Sequence, residues 1–167
     1  MTSVSVNTYT HSVTYVSDNI LKGLKDILVT SGLSAAKLAG DWVVLHAGIS
    51  AWLKSGHLKQ VSLEIFDPNT DALIYRWDLD IIYSYGTGDG GFWADTEALK
   101  YNIRKAGLAP SQASYRVFVD AGPGRPAVDG WSSCSARSTD GFVRQSLGST
   151  ISHNGLATGV SYWRKVG

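Results

Sequence analysis

The chain has 167 residues, of which 44% are hydrophobic and 17% are charged, and its formal net charge is +1. This length and composition are those of a globular protein with one domain, and they exclude a chain that is disordered throughout. The near-neutral charge argues against a protein that binds nucleic acid or a membrane surface through electrostatic attraction.

Two long amphipathic helices are predicted in the first third of the chain. In the first helix, apolar residues recur at steps of three and four between Val13 and Leu28, and Gly32 is well placed to end it. The second helix follows Ser34, a natural N-cap, and ends at Gly56. Its apolar stripe consists of Leu38, Trp42, Leu45, Ile49 and Trp52.

The apolar period then changes to two, which is typical of β-strands. Val61, Leu63 and Ile65 alternate with polar residues, and residues 67–71 have strong turn chemistry. The alternation resumes in residues 73–81. We therefore predict a long antiparallel hairpin with one face on the core and the other in solvent, as in a two-layer α+β protein.

A glycine-rich stretch at residues 86–91 precedes a third helix near residues 95–106 and a strand at residues 114–120. Residues 121–167 then differ in character, because they contain 8 of the 18 glycines and carry five basic and two acidic side chains. Their local charge is +3, against −2 for residues 1–120. We expect short strands of weakly specified register in this segment.

Two patterns resemble catalytic motifs without the context that such motifs require. Residues 86–91 match G-x-G-x-x-G, but they follow an antiparallel hairpin and no acidic residue lies at the ribose-binding distance. Asp78 and Asp80 share one face of a strand, as metal-binding aspartates of nucleotidyltransferases do, but such a site also needs a third carboxylate and a Gly-Ser turn leading into a helix, and no such turn is in place. An Mg²⁺-dependent enzyme is therefore an alternative, and a strand with one solvated face is favoured.

The histidines, serines and cysteine give no stronger indication of chemistry. His11, His46, His57 and His153 show no metal-ligand spacing with one another or with Cys134, and one cysteine excludes an internal disulfide. No G-x-S-x-G sequence supports a Ser-His-Asp triad. We therefore expect a protein that is not an enzyme and that has no cofactor and no metal.

Four stretches resemble the bacterial HORMA-domain proteins that are encoded beside cyclic-oligonucleotide synthases in the antiphage systems called CBASS. They are residues 10–27, 63–83 (LEIFDPNTDALIYRWDLDIIY), 88–115 and 124–156, the last of which begins GRPAVDGWSSCSARSTDGF. The resemblance extends over nearly the whole chain, and the order of its segments matches the order of the predicted elements.

The resemblance implies an α+β, two-layer HORMA fold, with three helices packed on an antiparallel sheet. It divides a single domain at 1–167 into a flexible N-terminus at about 1–8, a core at about 9–120 and a C-terminal safety belt at about 121–167. In the closed state the belt holds a closure-motif peptide, which adds to the sheet as a strand. The residues expected to contact the peptide are Tyr115, Val117, Val119, Trp131, Phe142, Val143, Leu147 and Ile151.

The resemblance also implies partners. A closed domain is expected to bind and activate a cyclic-oligonucleotide synthase (CD-NTase), with nucleic acid reached only through the synthase. The sequence itself has no apolar run long enough to span a bilayer and no charged-then-apolar leader, so we expect a cytoplasmic protein without contact to a membrane. An AAA+ remodelling ATPase is expected to engage the polar N-terminus. The residues of this handle are Thr2, Ser3, Val4, Ser5 and Val6. Two alternatives stay open: an accessory partner of a second HORMA protein, which supplies or competes for a closure motif, and a nucleic-acid-binding module.

Overall fold

The computed structural model describes residues 9–83, 92–94, 96–153 and 156–165. The predicted ATPase handle and the glycine motif lie outside these residues. The described helices are α1 (Tyr9–Thr30), α2 (Ala36–Gly40), α3 (Trp42–Ser55) and α4 (Thr96–Ala106). The described strands are β1 (Leu58–Phe66), β2 (Leu73–Tyr83), β3 (Phe92–Ala94), β4 (Ser114–Ala121), β5 (Phe142–His153) and β6 (Leu156–Lys165).

The long helices form where the apolar periodicity predicted them. Val16 and Ile20 on α1 have no exposed surface, and the helix is followed by Gly32, whose φ of +87° favours glycine. The second predicted helix is divided at Asp41 into α2 and α3, next to Gly40, a poor helix former, so its continuous span was wrong. No helix in the described part of the chain is long and apolar enough to cross a membrane.

The described strands form one antiparallel sheet in the order β3-β5-β6-β2-β1-β4. β1 and β2 pair as the predicted hairpin, with Leu63 opposite Trp77, and β4 pairs with the other side of β1. β5 and β6 pair with each other, and β6 lies against β2. The chain therefore leaves one edge of the sheet after β4 and returns in its opposite half at β5.

The C-terminal strands are longer than predicted. β5 has 12 residues and β6 has 10 residues, whereas the local pattern indicated short strands. β6 is paired on both sides and buries Leu156, Val160 and Tyr162, and Tyr162 stacks on Trp77 with ring centroids 4.8 Å apart. Long-range pairing, which a local pattern does not show, therefore specifies these strands.

The helices pack on one face of the sheet, which we call the helix face. Its side chains on β1 are Val61, Leu63 and Ile65, all without exposed surface, and each such burial stabilises the fold by about 1.5–3 kcal/mol. α1 lies at the centre of this layer and contacts both α3 and α4. Three long helices on an antiparallel sheet are the α+β arrangement that the sequence predicted.

The opposite face of the sheet, which we call the polar face, was predicted to be in solvent, and at its centre this prediction was wrong. Ser62, Glu64 and Asp78 are each at most 1% exposed. Asp78 accepts hydrogen bonds from Ser62 Oγ at 2.7 Å and from Trp163 Nε1 at 2.8 Å. Arg76 Nε lies 2.8 Å from the same carboxylate. Side chains from neighbouring strands cover this face, and the alternation along a single strand does not reveal them.

Candidate peptide-binding groove

β4 is the outermost strand on its side of the sheet, and among the described strands only β1 pairs with it. The carbonyl oxygens of Tyr115 and Ala121 point away from β1, because they accept hydrogen bonds from Lys37 Nζ and Arg125 Nη1, each at 3.4 Å. In an antiparallel strand the N–H and C=O of one residue point to the same side, and the side alternates from residue to residue. The outward positions of β4 can therefore be assigned.

The outward backbone groups between those two residues belong to Val117 and Val119. The alternation continues to the end of the strand, because the N–H of Gly122 points towards the β1 side and donates to the His57 carbonyl at 3.0 Å. Val117 and Val119 thus offer two N–H donors and two carbonyl acceptors at an edge that no other described strand covers. Such an edge is a template for pairing with another extended chain.

Residues 122–141, which we call the crossing loop, connect β4 to β5 and attach first to α3 on the helix side of the sheet. Trp131 Nε1 donates to the Val44 carbonyl at 3.0 Å, and its ring packs edge-on against Trp52 with centroids 4.9 Å apart. A side chain at Gly48 would overlap the Trp131 indole. Glycine at this helix position therefore leaves the notch that receives the loop.

The second attachment of the crossing loop is on the polar face, at the buried carboxylate of Glu64. The backbone N–H of Arg137 donates to Oε2 and its Nη1 donates to Oε1, each at 2.7 Å. Its Nη2 also donates to Asp71 Oδ1 at 2.6 Å, and the guanidinium lies 3.5 Å from the centre of the Phe66 ring. Burial works to lower the pKa of Arg137, but hydrogen bonds and charges from Asp71 and Glu64 outweigh it and raise this pKa. Arginine side chains are not deprotonated in proteins, so Arg137 binds both carboxylates as a cation.

Arg116 on β4 is a second cation at the same carboxylate. Its Nη2 donates to Glu64 Oε1 at 2.8 Å and to the Ser135 carbonyl of the crossing loop at 2.7 Å. Two cationic partners thus compensate the burial of Glu64, whose side chain has no exposed surface. Because Trp131 is attached on the helix side and Arg137 on the polar face, the residues between them pass around the outer edge of β4.

A groove of about 550 Å³ lies between β4 and the crossing loop. Residues 117–121 form one wall, and residues 124–128 and 131–134 form the other. Five residues of an extended strand span roughly 16 Å at about 3.3 Å per residue, so the groove has the length of a short peptide strand. Its large apolar side chains are those of Trp52, Val117, Phe118, Val119, Val128 and Trp131.

A comparison with known families identifies the domain. The sequence profile described as "Bacterial HORMA domain 2" matches residues 1–166. The chain belongs to this bacterial HORMA family. No curated protein is significantly similar to it in sequence. The family match indicates a binding module, and no catalytic family is indicated.

Several solved structures share the HORMA fold. A chain of the mitotic checkpoint complex has a TM-score of 0.75 and 13% identity, over 93% of this chain and 99% of that chain. C. elegans HTP-2 bound to the HIM-3 closure motif has a TM-score of 0.65 and 15% identity, over 90% of each chain. The E. coli MS115-1 CdnC:HORMA-deltaN complex has a TM-score of 0.57 and 13% identity, over 100% of this chain and 94% of that chain. The predicted HORMA-type fold is therefore confirmed.

Only part of the predicted peptide-contact set lies at the groove of this HORMA domain. Val117, Val119 and Trp131 line it. Tyr115 lies beyond its end and is 8% exposed, with its hydroxyl accepting a hydrogen bond from the Leu38 N–H at 3.0 Å.

The other predicted contact residues are in β5, which three strands separate from β4. They are Phe142, Val143, Leu147 and Ile151. The structure does not bring these residues to the groove, because the crossing loop ends where β5 begins. The side chain of Ile151 lies outside the described residues.

Four residues that build the groove were not predicted as site residues. Trp52 and Gly48 were assigned to a helix, although a glycine within a helical pattern is a signal of close packing. Glu64 and Arg137 are 73 residues apart, and no local pattern connects them. The one sequence signal for that pair was the difference in net charge between residues 1–120, at −2, and residues 121–167, at +3.

The alternative of a metal-dependent enzyme is not supported by the surroundings of Asp78 and Asp80. Asp80 accepts hydrogen bonds from Gln60 Nε2 at 2.7 Å and from Arg144 Nη2 at 2.8 Å. Asp78 is bound by Arg76, so both carboxylates already have cationic partners from the protein. Among the described residues, no group of three or more His, Cys, Asp or Glu side chains could hold a metal ion.

A second arrangement has the residue types of a catalytic triad, at the contact between α1 and α3. His46 Nε2 lies 2.9 Å from Asp18 Oδ1, and its Nδ1 lies 3.4 Å from Ser50 Oγ. Ser50 Oγ lies closer to Ser17 Oγ, at 3.0 Å, than to the histidine nitrogen, so the hydroxyl has a partner outside the histidine–aspartate pair. These residues are a polar link between two helices.

Proposed function

We propose that this HORMA domain captures a short peptide as an additional strand on β4, beneath the crossing loop, which acts as the safety belt. The observation that carries the proposal is the pair of outward-facing residues Val117 and Val119 inside a groove that the loop encloses. Main-chain hydrogen bonds to these two residues would supply affinity for any extended chain. We propose that this arrangement is the closed state.

The groove favours a peptide with apolar side chains at alternate positions. Side chains of an added strand point in turn to the helix side and to the polar face. On the helix side they would meet Val117 and Val119 together with Trp52 and Trp131. We therefore expect aliphatic or aromatic residues at these positions, and tolerance of polar residues at the positions between them.

The neighbouring structures support this proposal and extend it to a partner. One is HTP-2 bound to the HIM-3 closure motif, and another is a CdnC:HORMA-deltaN complex. We propose that the peptide-bound domain binds and activates a cyclic-oligonucleotide synthase in cytoplasmic antiviral defence. We also propose that an AAA+ ATPase reopens the domain from its N-terminus, and that a second HORMA protein, where one is encoded, competes for the same peptide.

The peptide proposal is tested by selecting binders from a random peptide library and then methylating their backbone nitrogens one at a time. N-methylation removes a donor without changing the side chain. Affinity should fall at every second position, where the peptide N–H faces β4, and should be unchanged at the positions between. Uniform tolerance of methylation would contradict strand addition. Synthase activity with and without the selected peptide then tests the regulatory part.

A variant of β4 tests the same main-chain hydrogen bonds from the side of the protein. Val119→Pro removes an N–H that points away from β1, and proline is tolerated at such edge positions. We expect it to weaken peptide binding at least about tenfold, the loss of roughly one hydrogen bond, while the urea midpoint stays close to that of the native protein. Tyr101→Ala, at a 64% exposed position on α4, is the control. Equal binding by both variants would contradict the site.

A further inference from the structure

We propose that Arg137 is the positioning residue that closes the crossing loop over the groove, with Glu64 as its fixed acceptor on the core. This inference rests on the proposed function, since it concerns what holds the loop across a bound strand. We call the pair the clasp. It belongs to the loop and to β1, and neither of its residues lines the groove itself.

The contacts of Arg137 fix the course of the loop as well as its charge. One carboxylate accepts from both the backbone N–H and the side chain of the same residue, each at 2.7 Å. A hydrogen bond from the side chain alone would leave the backbone free to move. Because the backbone itself is held, Glu64 determines where the loop returns to the sheet after it has passed around β4.

The clasp shortens the free span of the loop. With it in place, the residues that cross the edge of β4 lie between Trp131 and Arg137, which are attached on opposite faces of the sheet. Without it, one hydrogen bond from Arg116 to the Ser135 carbonyl is the remaining contact described above between Trp131 and β5, which begins at Phe142. A longer free span lets a bound strand leave without detachment of the whole C-terminal hairpin, so the clasp is expected to control how long a peptide stays bound.

Arg116 makes release of the clasp reversible. It already donates to Glu64 Oε1 from the neighbouring strand at 2.8 Å. When Arg137 leaves, Glu64 therefore keeps one cationic partner, and the cost of an unpaired buried charge is avoided. The exposed Asp71 is a secondary partner of Arg137, with a side chain that is 74% exposed. The charge of Glu64 therefore has a cationic partner whether the loop is attached or released.

The clasp is tested first without any ligand. Cys134 is the only cysteine of the chain, it is exposed, and it lies in the crossing span, so it can carry a nitroxide label. We expect Arg137→Met to raise label mobility and to accelerate hydrogen exchange of the residue-137 amide at least about tenfold. Arg144→Met, which removes another arginine from the same C-terminal segment, should change neither. An unchanged label and amide in Arg137→Met would overturn the clasp.

Peptide kinetics give the second readout. For a library-selected peptide, Arg137→Met should raise the dissociation rate at least about tenfold while the association rate is not lowered. Arg137→Lys should be intermediate, since lysine keeps the charge and loses the fork-shaped contact. Equal dissociation rates in the native protein and Arg137→Met would contradict the clasp. If no peptide binds the native protein, the proposed function fails, whereas the ligand-free experiment still decides on the clasp.

Discussion

The crossing loop is attached to α3 by an aromatic side chain and to β1 by an ion pair. On the helix side, Trp131 lies in the notch that Gly48 leaves in α3, so shape decides whether it fits. On the polar face, Arg137 binds Glu64, so charge and hydrogen-bond direction determine whether this attachment forms. The loop therefore depends on two independent features of the sequence, and single substitutions can separate them.

The two attachments also differ in what weakens them. The strength of an apolar contact depends on side-chain volume and little on salt. The strength of an ion pair depends on salt, and the more the pair is exposed to solvent, the more salt weakens it. Glu64 is fully buried, so added salt screens its attraction to Arg137 much less than it screens a surface pair. The predictions below test this contrast, beginning with the substitution that should cost most.

The largest effect is expected from Glu64→Ala. It leaves the guanidinium groups of Arg116 and Arg137 and one backbone N–H without their shared acceptor, so the free energy of unfolding should fall by about 3–5 kcal/mol. Asp71→Ala is the matched control, because it removes an exposed partner of the same arginine, which contributes about 0–1 kcal/mol. Urea denaturation measures both. Similar losses in the two variants would show that burial of the carboxylate is not what matters.

The next effect is expected from Gly48→Ala. Alanine normally stabilises a helix by about 1 kcal/mol relative to glycine, but here its methyl would overlap Trp131, and we expect a net loss of about 1–3 kcal/mol. Gly40→Ala is the matched control, since nothing lies within 4 Å of the added Cβ, and it should cause no loss. Thermal or urea unfolding shows whether each substitution raises or lowers the free energy of unfolding. A gain at both positions would mean that Trp131 is not held in the notch.

Much of the fold could be predicted because its signals are local. The period of three to four in α1 and the alternation of Val61, Leu63 and Ile65 each lie within one element, and both predictions were confirmed. The length of β6 was not predictable, because β2 and β5 pair with it from both sides. The burial of Glu64 was missed for the same reason, since the residue that covers it lies 73 positions later.

The strand that forms one wall of the candidate site could be predicted, whereas the part of the chain that encloses the groove could not. Alternation placed Val117 and Val119 on one side of a strand, and the family resemblance implied that they and Trp131 contact a peptide. The whole of residues 121–167 was assigned to the belt, whereas only the crossing loop borders the groove. β6 instead contributes Val160 and Tyr162 to the core, so removal of residues 121–167 would expose core residues as well as the groove.

The uneven charge of the sequence has a structural explanation in these attachments. The C-terminal segment carries the local excess of positive charge, and the acidic residues that pair with it belong to the first 120 residues. Arg137 pairs with Glu64 and Asp71, and Arg144 pairs with Asp80. Two of the five basic residues of the segment are thus paired with acidic residues of the first 120, which accounts for part of the charge difference.

The smallest effect is expected from Arg144→Ala. Its pair with Asp80 is 43% and 40% exposed, so we expect a loss of about 0–1 kcal/mol at low salt, and none at about 1 M NaCl, where the screening length is near 3 Å. The loss in Glu64→Ala should instead persist at high salt, because burial keeps ions away. Urea denaturation of both variants at two NaCl concentrations makes the comparison. If the two losses faded in parallel with salt, the attachment at Glu64 would be an ordinary surface ion pair.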